Sequence, residues 1–244
     1  MAGLMEYNWF AKVYDDLMDD TLYEKWLKYT SEHIGKNKDI LELGCGTGIL
    51  GIKMKEAGYD VTGLDLSEEM LSLAYNRQLE AGVTFPLVQG DMRDLTDLPV
   101  YSNVVCYSDA LCYMKNEGEL LSVFKEVNSK LDKEGLFLFD VHSTYQVSEF
   151  LKTSFHAETD DIVFLWDTFE GEQPYSVEHQ LSFFVKEKDG RYSRYEELHE
   201  ERTYPLATYK ELLKQAGFKD IEIKADFTEE VTSESKRWFF SCSK

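Results

Sequence analysis

Apolar positions along the chain recur in two patterns that predict alternating strands and helices. Spacings of three and four residues predict helices, including two over residues 8–34. Short apolar runs predict five strands, each followed by a helix or a long crossover: 38–43, 59–64, 83–89, 103–107 and 136–141. Pro86 within the third run predicts that this strand lies at a sheet edge. Because strand–helix alternation builds a parallel sheet covered on both faces, we expect a doubly wound α/β fold.

A different pattern follows the fifth strand. Three long β-rich runs succeed one another with turn signals and no helix between them: 162–169, 177–186 and 192–203. They predict an antiparallel β insertion over residues 145–203. The chain then returns to a helix over 206–216 and closes with two strands, so the insertion interrupts the α/β region.

Composition narrows the class of protein. At 244 residues, one elaborated domain is expected rather than two. The formal net charge of −20 disfavours nucleic acid as a partner, because a phosphate backbone would be repelled. The four cysteines show neither paired nor zinc-type spacing, and no apolar run reaches the length of a membrane span. We therefore expect a reduced, cytoplasmic protein without nucleic-acid or membrane partners.

The strongest chemical signal lies where the first strand ends. Three alternating glycines, Gly44, Gly46 and Gly48, follow that strand, and Asp65 follows the second strand. Glycines let a ligand touch the backbone, and an acid in this place accepts hydrogen bonds from ribose hydroxyls. A nucleoside site is therefore expected. Residues 46–51 also satisfy the G-x-G-x-x-G spacing of dinucleotide sites, so an NAD(P)-dependent oxidoreductase is an alternative.

Further residues favour a methyl donor over a dinucleotide. Glu42 precedes the first glycine by two positions, and an acidic turn over residues 90–94 follows the third strand. Together with residues 41–48 and Asp65, these features resemble the class I S-adenosylmethionine-dependent methyltransferases. The resemblance covers nearly the whole chain except residues 145–200. The acidic turn and the insertion are similar to small-molecule N-methyltransferases that act on amino sugars and on glycine.

The resemblance implies a fold and a domain plan. It implies a Rossmann-like sheet of about seven strands, the last of them antiparallel, in a single domain over residues 1–244. The implied parts are an N-terminal helical lid, a donor-binding core in two segments and the antiparallel β insertion. They span, in that order, residues 1–34, residues 35–144 with 204–244, and residues 145–203.

The resemblance also implies S-adenosylmethionine as the cofactor. The implied donor-binding residues are Tyr14, Gly44, Cys45, Gly46, Asp65, Leu66, Asp91, Met92 and Ser108. Asp91 would accept a hydrogen bond from the adenine amino group, Met92 would pack on the ring and Ser108 would border the sulfonium. Tyr14 would reach the donor from the lid. For each of these residues, the structural alternative is a turn, capping or packing role.

The acceptor side is expected at the carboxyl ends of the fourth and fifth strands, where open α/β sheets bind ligands. His142 is the candidate general base there, and Tyr113 could orient an amine or stack on a cation. A turn histidine and a packing tyrosine are the structural alternatives. Asp109 and Asp140 faintly resemble a magnesium site, but the ligand set is incomplete, so no metal is expected.

These residues predict an enzyme that transfers a methyl group, by in-line displacement, from S-adenosylmethionine to a small-molecule acceptor at nitrogen. The Tyr-x-x-x-Lys pair that an oxidoreductase would need is missing at Tyr23, Tyr192 and Tyr209. A second alternative is a protein that binds S-adenosylmethionine without turnover. An open edge strand in the insertion would allow a homodimer.

Overall fold

The computed structural model describes residues 20–36 and 38–244. Helix α1 (Asp20–His33) confirms the second of the two helices predicted over residues 8–34, and the first lies outside the described residues. The later elements are, in chain order, β1 (Asp39–Leu43), α2 (Ile49–Glu56), β2 (Asp60–Asp65), α3 (Glu68–Ala81), β3 (Leu87–Gln89), β4 (Tyr101–Cys106), a 3₁₀ helix (Ala110–Tyr113), α4 (Glu117–Lys130), β5 (Leu131–His142), α5 (Thr144–Phe150), β6 (Phe155–Glu158), β7 (Ile162–Glu170), β8 (Ser176–Lys186), β9 (Tyr192–Arg202), α6 (Leu206–Ala216), β10 (Ile221–Ala225) and β11 (Arg237–Ser243).

Seven strands form the central sheet, in the order β3-β2-β1-β4-β5-β11-β10. Strands β1 to β5 run parallel, β11 runs antiparallel to β5, and β10 runs antiparallel to β11. The predicted Rossmann-like sheet with an antiparallel last strand is confirmed. Strand β3 lies at the sheet edge and has 3 residues, as expected from Pro86 in front of it.

The central sheet is covered on both faces. Phe137 and Phe139 of β5 pack with Phe124 of α4 in one buried cluster, whereas Leu138 belongs to a second cluster with Trp26 of α1. Successive side chains of a strand point to opposite faces, so the two clusters lie on opposite sides of the sheet. The doubly wound architecture is thereby confirmed.

The second sheet contains four antiparallel strands in the order β6-β7-β8-β9. Strands β7, β8 and β9 match the three β-rich runs, but α5 and β6 were not predicted, because such short segments carry too little periodicity. Strand β9 is an edge of this sheet. The homodimer through the insertion, and the division of the chain into lid, core and insertion, remain predictions.

No helix within residues 20–36 and 38–244 combines the length and the apolar character needed to cross a membrane. The four cysteines are all free and buried. Each thiol therefore packs as a small apolar side chain rather than as a cross-link.

Candidate active site

The glycine turn after β1 is held in a conformation that favours glycine. Gly44, Gly46 and Gly48 have φ angles of 66°, 52° and 77°. A Cβ on Gly44 would lie 2.8 Å from the Cβ of Ala110, so the 3₁₀ helix after β4 packs directly on the backbone there. A Cβ on Gly46 would meet nothing within 4 Å. The backbone at Gly46 therefore faces open space into which a ligand can approach.

Asp65 is tied to this turn by backbone hydrogen bonds. Strands β1 and β2 pair in parallel and end together, with Leu43 opposite Leu64. The N–H of Gly46 donates to Oδ2 of Asp65 at 2.7 Å, and the N–H of Ser67 donates to Oδ1 at 2.9 Å. Each carboxylate oxygen keeps a further lone pair, so Asp65 can also accept from ligand hydroxyls. The side chain of Leu66 is 68% exposed beside it, which leaves an apolar surface at the rim.

The acidic turn after β3 places Met92 against the glycine turn and pairs Asp91 with Arg93. Met92 reaches the glycine turn, since its Cε would lie 3.8 Å from a Cβ on Gly44. Asp91 receives three hydrogen bonds from the guanidinium of Arg93: from Nε to both carboxylate oxygens, at 3.0 and 2.9 Å, and from Nη2 at 2.5 Å. Hydrogen bonds from Arg93 lower the pKa of Asp91, which remains an ionised acceptor. A ligand amino group would share it with Arg93, a partner that sequence reasoning missed.

Two side chains lie beneath the glycine turn rather than facing out of it. Cys45 is buried, and a Cβ on Gly63 would lie 2.9 Å from its Sγ, so the thiol packs against the backbone of β2. Glu42 is also buried, and its Oε2 has no hydrogen-bond partner among the described residues. Burial raises the pKa of Glu42 to about 8, and the nearby charge of Asp65 contributes to the increase. The side chain of Cys45 is therefore packed under the turn, and the raised pKa of Glu42 favours the protonated acid at neutral pH.

Strand β4 leads into a strained turn. Ser108 and Asp109 have φ angles of 54° and 61°, in the left-handed region that favours glycine. Such residues cost about 1–3 kcal/mol each and persist only where the surrounding structure holds them. Both line a cavity described below, and Asp109 is held there by ionic contacts.

A buried ionic cluster joins the ends of β4, β5 and β11. Strand β11 pairs with β5 so that Arg237 lies opposite His142. The Arg237 guanidinium donates to both oxygens of Asp109, at 2.6 and 2.8 Å, and to Oδ2 of Asp140 at 2.8 Å. The indole N–H of Trp26 donates to that same Asp140 oxygen at 2.8 Å. Burial alone would raise the pKa of Asp109, but the charge of Arg237 holds it at about 2.

His142 is oriented by this cluster. Its Nε2 lies 3.0 Å from Oδ2 of Asp109, so Nε2 carries the proton and donates to the carboxylate. Its Nδ1 is buried and has no hydrogen-bond partner among residues 20–36 and 38–244. Phe150 packs edge-on against the imidazole, with ring centres 4.9 Å apart. This arrangement fixes the orientation of the ring and leaves its Nδ1 atom without a donor or acceptor among the described residues.

A cavity of about 570 Å³ separates the strand ends from one face of the second sheet. Ser108, Tyr113 and His142 line it, whereas the predicted residues at the glycine turn, Asp65, Leu66, Asp91 and Met92 do not. Sequence reasoning therefore located two adjoining regions. We call the first the donor turn (residues 44–48 with Asp65) and the second the acceptor cavity.

The side chains that the second sheet turns toward the cavity change from polar to apolar along the strands. Thr168, His179 and His199 lie opposite one another across β7, β8 and β9, and all three line the acceptor cavity. Four residues further along, Phe164 lies opposite Phe183. At 3.3 Å per residue, the two rows are roughly 13 Å apart, so the cavity has a polar end and an apolar end.

The polar end holds a histidine whose tautomer is fixed. The indole N–H of Trp166 donates to Nδ1 of His179 at 2.9 Å, which leaves the proton of the neutral imidazole on Nε2. Burial lowers the pKa of His179 to about 4, so the ring is uncharged at neutral pH. The neighbouring His199 bonds to the hydroxyl of Tyr113 at 2.8 Å, which positions the predicted Tyr113 at the cavity wall.

Glu201 lies between these imidazoles. Its Oε2 is 3.8 Å from Nε2 of His179 and 3.9 Å from Nε2 of His142, beyond hydrogen-bond distance in both cases. This oxygen is buried and has no hydrogen-bond partner in the described part of the chain. Burial raises the pKa of Glu201 to about 7.

Comparison with known proteins assigns the chain to a family. A methyltransferase domain model matches residues 40–135. A protein of Bacillus subtilis (strain 168) named as a methyltransferase, YqeM, is 40% identical over 98% of this chain and 98% of its own length. A crystal structure of an S-adenosylmethionine-dependent methyltransferase from Clostridium acetobutylicum aligns with a TM-score of 0.84 at 28% identity, covering 97% of this chain and 98% of that one. The chain is a class I S-adenosylmethionine-dependent methyltransferase.

A more distant relative is named for its acceptor. Glycine/sarcosine N-methyltransferase of Aphanothece halophytica is 24% identical over 91% of this chain and 80% of its own. The family membership removes the oxidoreductase alternative and makes S-adenosylmethionine the cofactor of this methyltransferase. The donor turn fits that group, since the open backbone at Gly46, the carboxylate of Asp65 and the exposed Leu66 suit its amino-acid, ribose and adenine portions.

Several residues that line the acceptor cavity were not predicted from the sequence. Arg237, His179, His199 and Glu201 were not singled out from the sequence. The one signal available was the alternation of polar residues at positions 197, 199 and 201, which share a strand face. Tyr14 lies outside the described residues. Within those residues, no group of three or more His, Cys, Asp or Glu side chains is arranged to hold a metal ion.

Proposed function

We propose that this methyltransferase acts on a small molecule and transfers the methyl group to a nitrogen atom by in-line displacement. The observation that carries the proposal is the acceptor cavity, which holds His142 and two buried carboxylates at one end. A volume of about 570 Å³ suits a small ligand rather than a polymer. An acceptor bound between the two sheets would displace water from the reacting groups.

The donor turn would hold S-adenosylmethionine through Gly44, Gly46, Asp65, Leu66 and Met92, with Ser108 between the two regions. When bound, this cofactor supplies a methyl group on a positively charged sulfur, so the electrophile arrives already activated. The chain's own residues then need mainly to orient the acceptor and exclude water. Orientation of this kind contributes up to about 7–11 kcal/mol to lowering a barrier.

His142 is the proposed general base. Asp109 holds its Nε2–H at 3.0 Å, so the lone pair on Nδ1 can take a proton from the acceptor. Arg237 in turn fixes Asp109 in its strained conformation. Tyr113, bonded to His199 at the cavity wall, would orient the acceptor.

Charge at the polar end favours nitrogen as the accepting atom. Four acidic side chains, Asp109, Glu149 and Glu201 in the cavity lining and Asp140 buried behind it, outnumber two cationic ones, Arg237 and Lys236. Such an excess suits an amine and opposes a carboxylate acceptor. The name of the glycine/sarcosine relative supports transfer to nitrogen as well.

The test is methyl transfer with a panel of amines, phenols and carboxylates, followed through formation of S-adenosylhomocysteine. We expect turnover with amines, and we expect His142→Ala to lower kcat by about 10²–10⁴-fold while leaving cofactor affinity unchanged. The matched control is His156→Ala, because His156 is exposed on β6. Transfer to phenols alone would contradict the proposal, and cofactor binding without any turnover would favour the non-catalytic alternative.

A further inference from the structure

We infer that the acceptor is an organic amine, cationic in water, that carries a flat apolar body, and that Glu201 is the counter-charge for its ammonium group. This inference rests on the proposed methyl transfer and narrows its substrate class. It makes strand β9, outside the α/β core, the source of acceptor specificity.

Aromatic rings shape the apolar end of the acceptor cavity. The rings of Phe164 and Phe183 stack with centres 4.9 Å apart, and Phe155 lies 6.2 Å from Phe164. Phe150 stacks against Trp166 at 6.1 Å and extends the aromatic wall toward His142. Rings pack best on flat partners, in offset or edge-on contact. An aromatic or similarly flat body therefore fits this end.

At the polar end of the cavity, one carboxylate oxygen, Oε2 of Glu201, has no hydrogen-bond partner among the described residues. The guanidinium of Arg237 is used by Asp109 and Asp140, so it does not neutralise Glu201. The imidazoles of His142 and His179 stand 3.9 and 3.8 Å from Oε2 of Glu201, too far to satisfy it. A buried carboxylate oxygen without a donor is unfavourable, so a ligand that brings a donor relieves part of that cost.

An ammonium group satisfies the unpaired oxygen of Glu201 better than other small polar groups do. It brings up to three N–H donors and a positive charge, so its hydrogen bond to Glu201 is charge-assisted. A hydroxyl brings one neutral donor, and a carboxylate brings like charge. Burial raises the pKa of Glu201 to about 7, and an ammonium beside it would favour the ionised form.

The reaction balances with His142 as the base. The bound ammonium gives one proton to Nδ1 of His142, and the free lone pair on nitrogen forms the new N–C bond. The C–S bond breaks with its electron pair going to sulfur, so the positive charge passes from sulfur to the methylated nitrogen. The imidazolium is stabilised by Asp109 and Glu201, at 3.0 and 3.9 Å from its Nε2, and releases its proton to water after the product leaves.

The test uses three probes of one shape on protein saturated with S-adenosylhomocysteine: phenethylamine, phenethyl alcohol and hydrocinnamate. Calorimetry should show that the amine binds about tenfold or more tightly than the alcohol, with the acid weakest. In Glu201→Gln this preference should fall below about threefold, while affinity for S-adenosylhomocysteine is unchanged. Glu200→Gln is the control, since Glu200 is exposed on the same strand and pairs with Lys115.

Each outcome decides the inference. Equal binding of the amine and the alcohol, failure of all three probes to bind, or an amine preference that survives Glu201→Gln would overturn it. If Glu201→Gln does not fold, Glu201→Met fills the same volume without a buried charge and replaces it. Nitrogen methylation that is indifferent to Glu201 would refute this inference and leave the proposed function standing, whereas methylation of oxygen acceptors alone would refute both.

Discussion

The donor turn and the acceptor cavity are built in opposite ways. The donor turn is made of backbone from one short segment, with Asp65 19 residues away along the chain. The acceptor cavity is made of side chains from the turn after β4 and from β5, α5, β6, β7, β8, β9 and β11, and its Asp109–Arg237 contact joins residues 128 positions apart. Yet each region contains one buried carboxyl without a hydrogen-bond partner among the described residues, Glu42 and Glu201. A local backbone site suits an invariant cofactor, whereas a scattered side-chain site can change with the acceptor.

The largest effect should come from breaking the ionic cluster on the acceptor side. Arg237→Met would leave Asp109 and Asp140 buried without their cation, and we expect a loss of about 3–5 kcal/mol in the free energy of unfolding. Urea unfolding measures it. The control is Arg191→Met, whose ion pair with Asp189 is exposed and should matter by no more than about 0.5 kcal/mol. Equal losses in the two variants would show that the cluster does not stabilise the fold.

The buried acid under the donor turn should govern a pH effect. Burial raises the pKa of Glu42 to about 8 from 4.5, so the folded protein keeps a proton that the unfolded chain releases. Stability therefore falls as pH rises between these two values. At about 1.4 kcal/mol per pKa unit, the free energy of unfolding should fall by roughly 3–5 kcal/mol across this pH range because of Glu42.

Glu42→Gln should remove this part of the pH dependence. Urea unfolding at about pH 5 and about pH 9 should show the variant gaining on the parent protein at the higher pH. Glu80→Gln changes an exposed acid and should leave the dependence as it is. An unchanged slope in Glu42→Gln would mean that this carboxyl is already ionised in the folded protein.

Loss of the donor-side carboxylate should affect the cofactor more than the fold. Asp65→Asn removes the charge that would receive the ribose hydroxyls, and affinity for S-adenosylhomocysteine should fall by about 1–3 kcal/mol. Asp60→Asn is the matched control, because Asp60 begins the same strand and its side chain is 80% exposed. Isothermal calorimetry compares the two. Undiminished affinity in a folded Asp65→Asn protein would argue against the donor assignment.

The smallest expected effect comes from alanine substitutions at two glycines, which distinguish backbone strain from loss of ligand contact. Gly46 and Gly82 have positive φ angles of 52° and 67°, and a Cβ on either would meet nothing within 4 Å. Alanine at each position should therefore cost a similar amount of stability, about 1–2 kcal/mol. Only Gly46→Ala should weaken cofactor binding. A similar affinity in both variants would place the cofactor away from Gly46.

The contrast between the two regions also explains what the sequence could predict. Gly44, Gly46 and Asp65 could be proposed from the sequence because strand, turn and strand follow one another at short spacing. Arg237 was not found, because the place of β11 beside β5 depends on sheet order rather than on local pattern. For Glu201, alternation along β9 indicates that it shares a face with His199, but not that this face covers the strand ends. Asp91 was found as a candidate, but its pairing with Arg93 was missed although the two lie two residues apart.

The chain enters the second sheet after β5 and returns to the α/β core at α6, so residues 144–202 form one continuous insertion. In genetic terms, a single block of codons encodes most of the wall that a substrate would meet. Recombination at the two borders of this block would replace the second sheet and leave every residue of the donor turn unchanged. A change in acceptor specificity would then need one crossover at each border. No protein along that route would have to lose the residues of the donor turn.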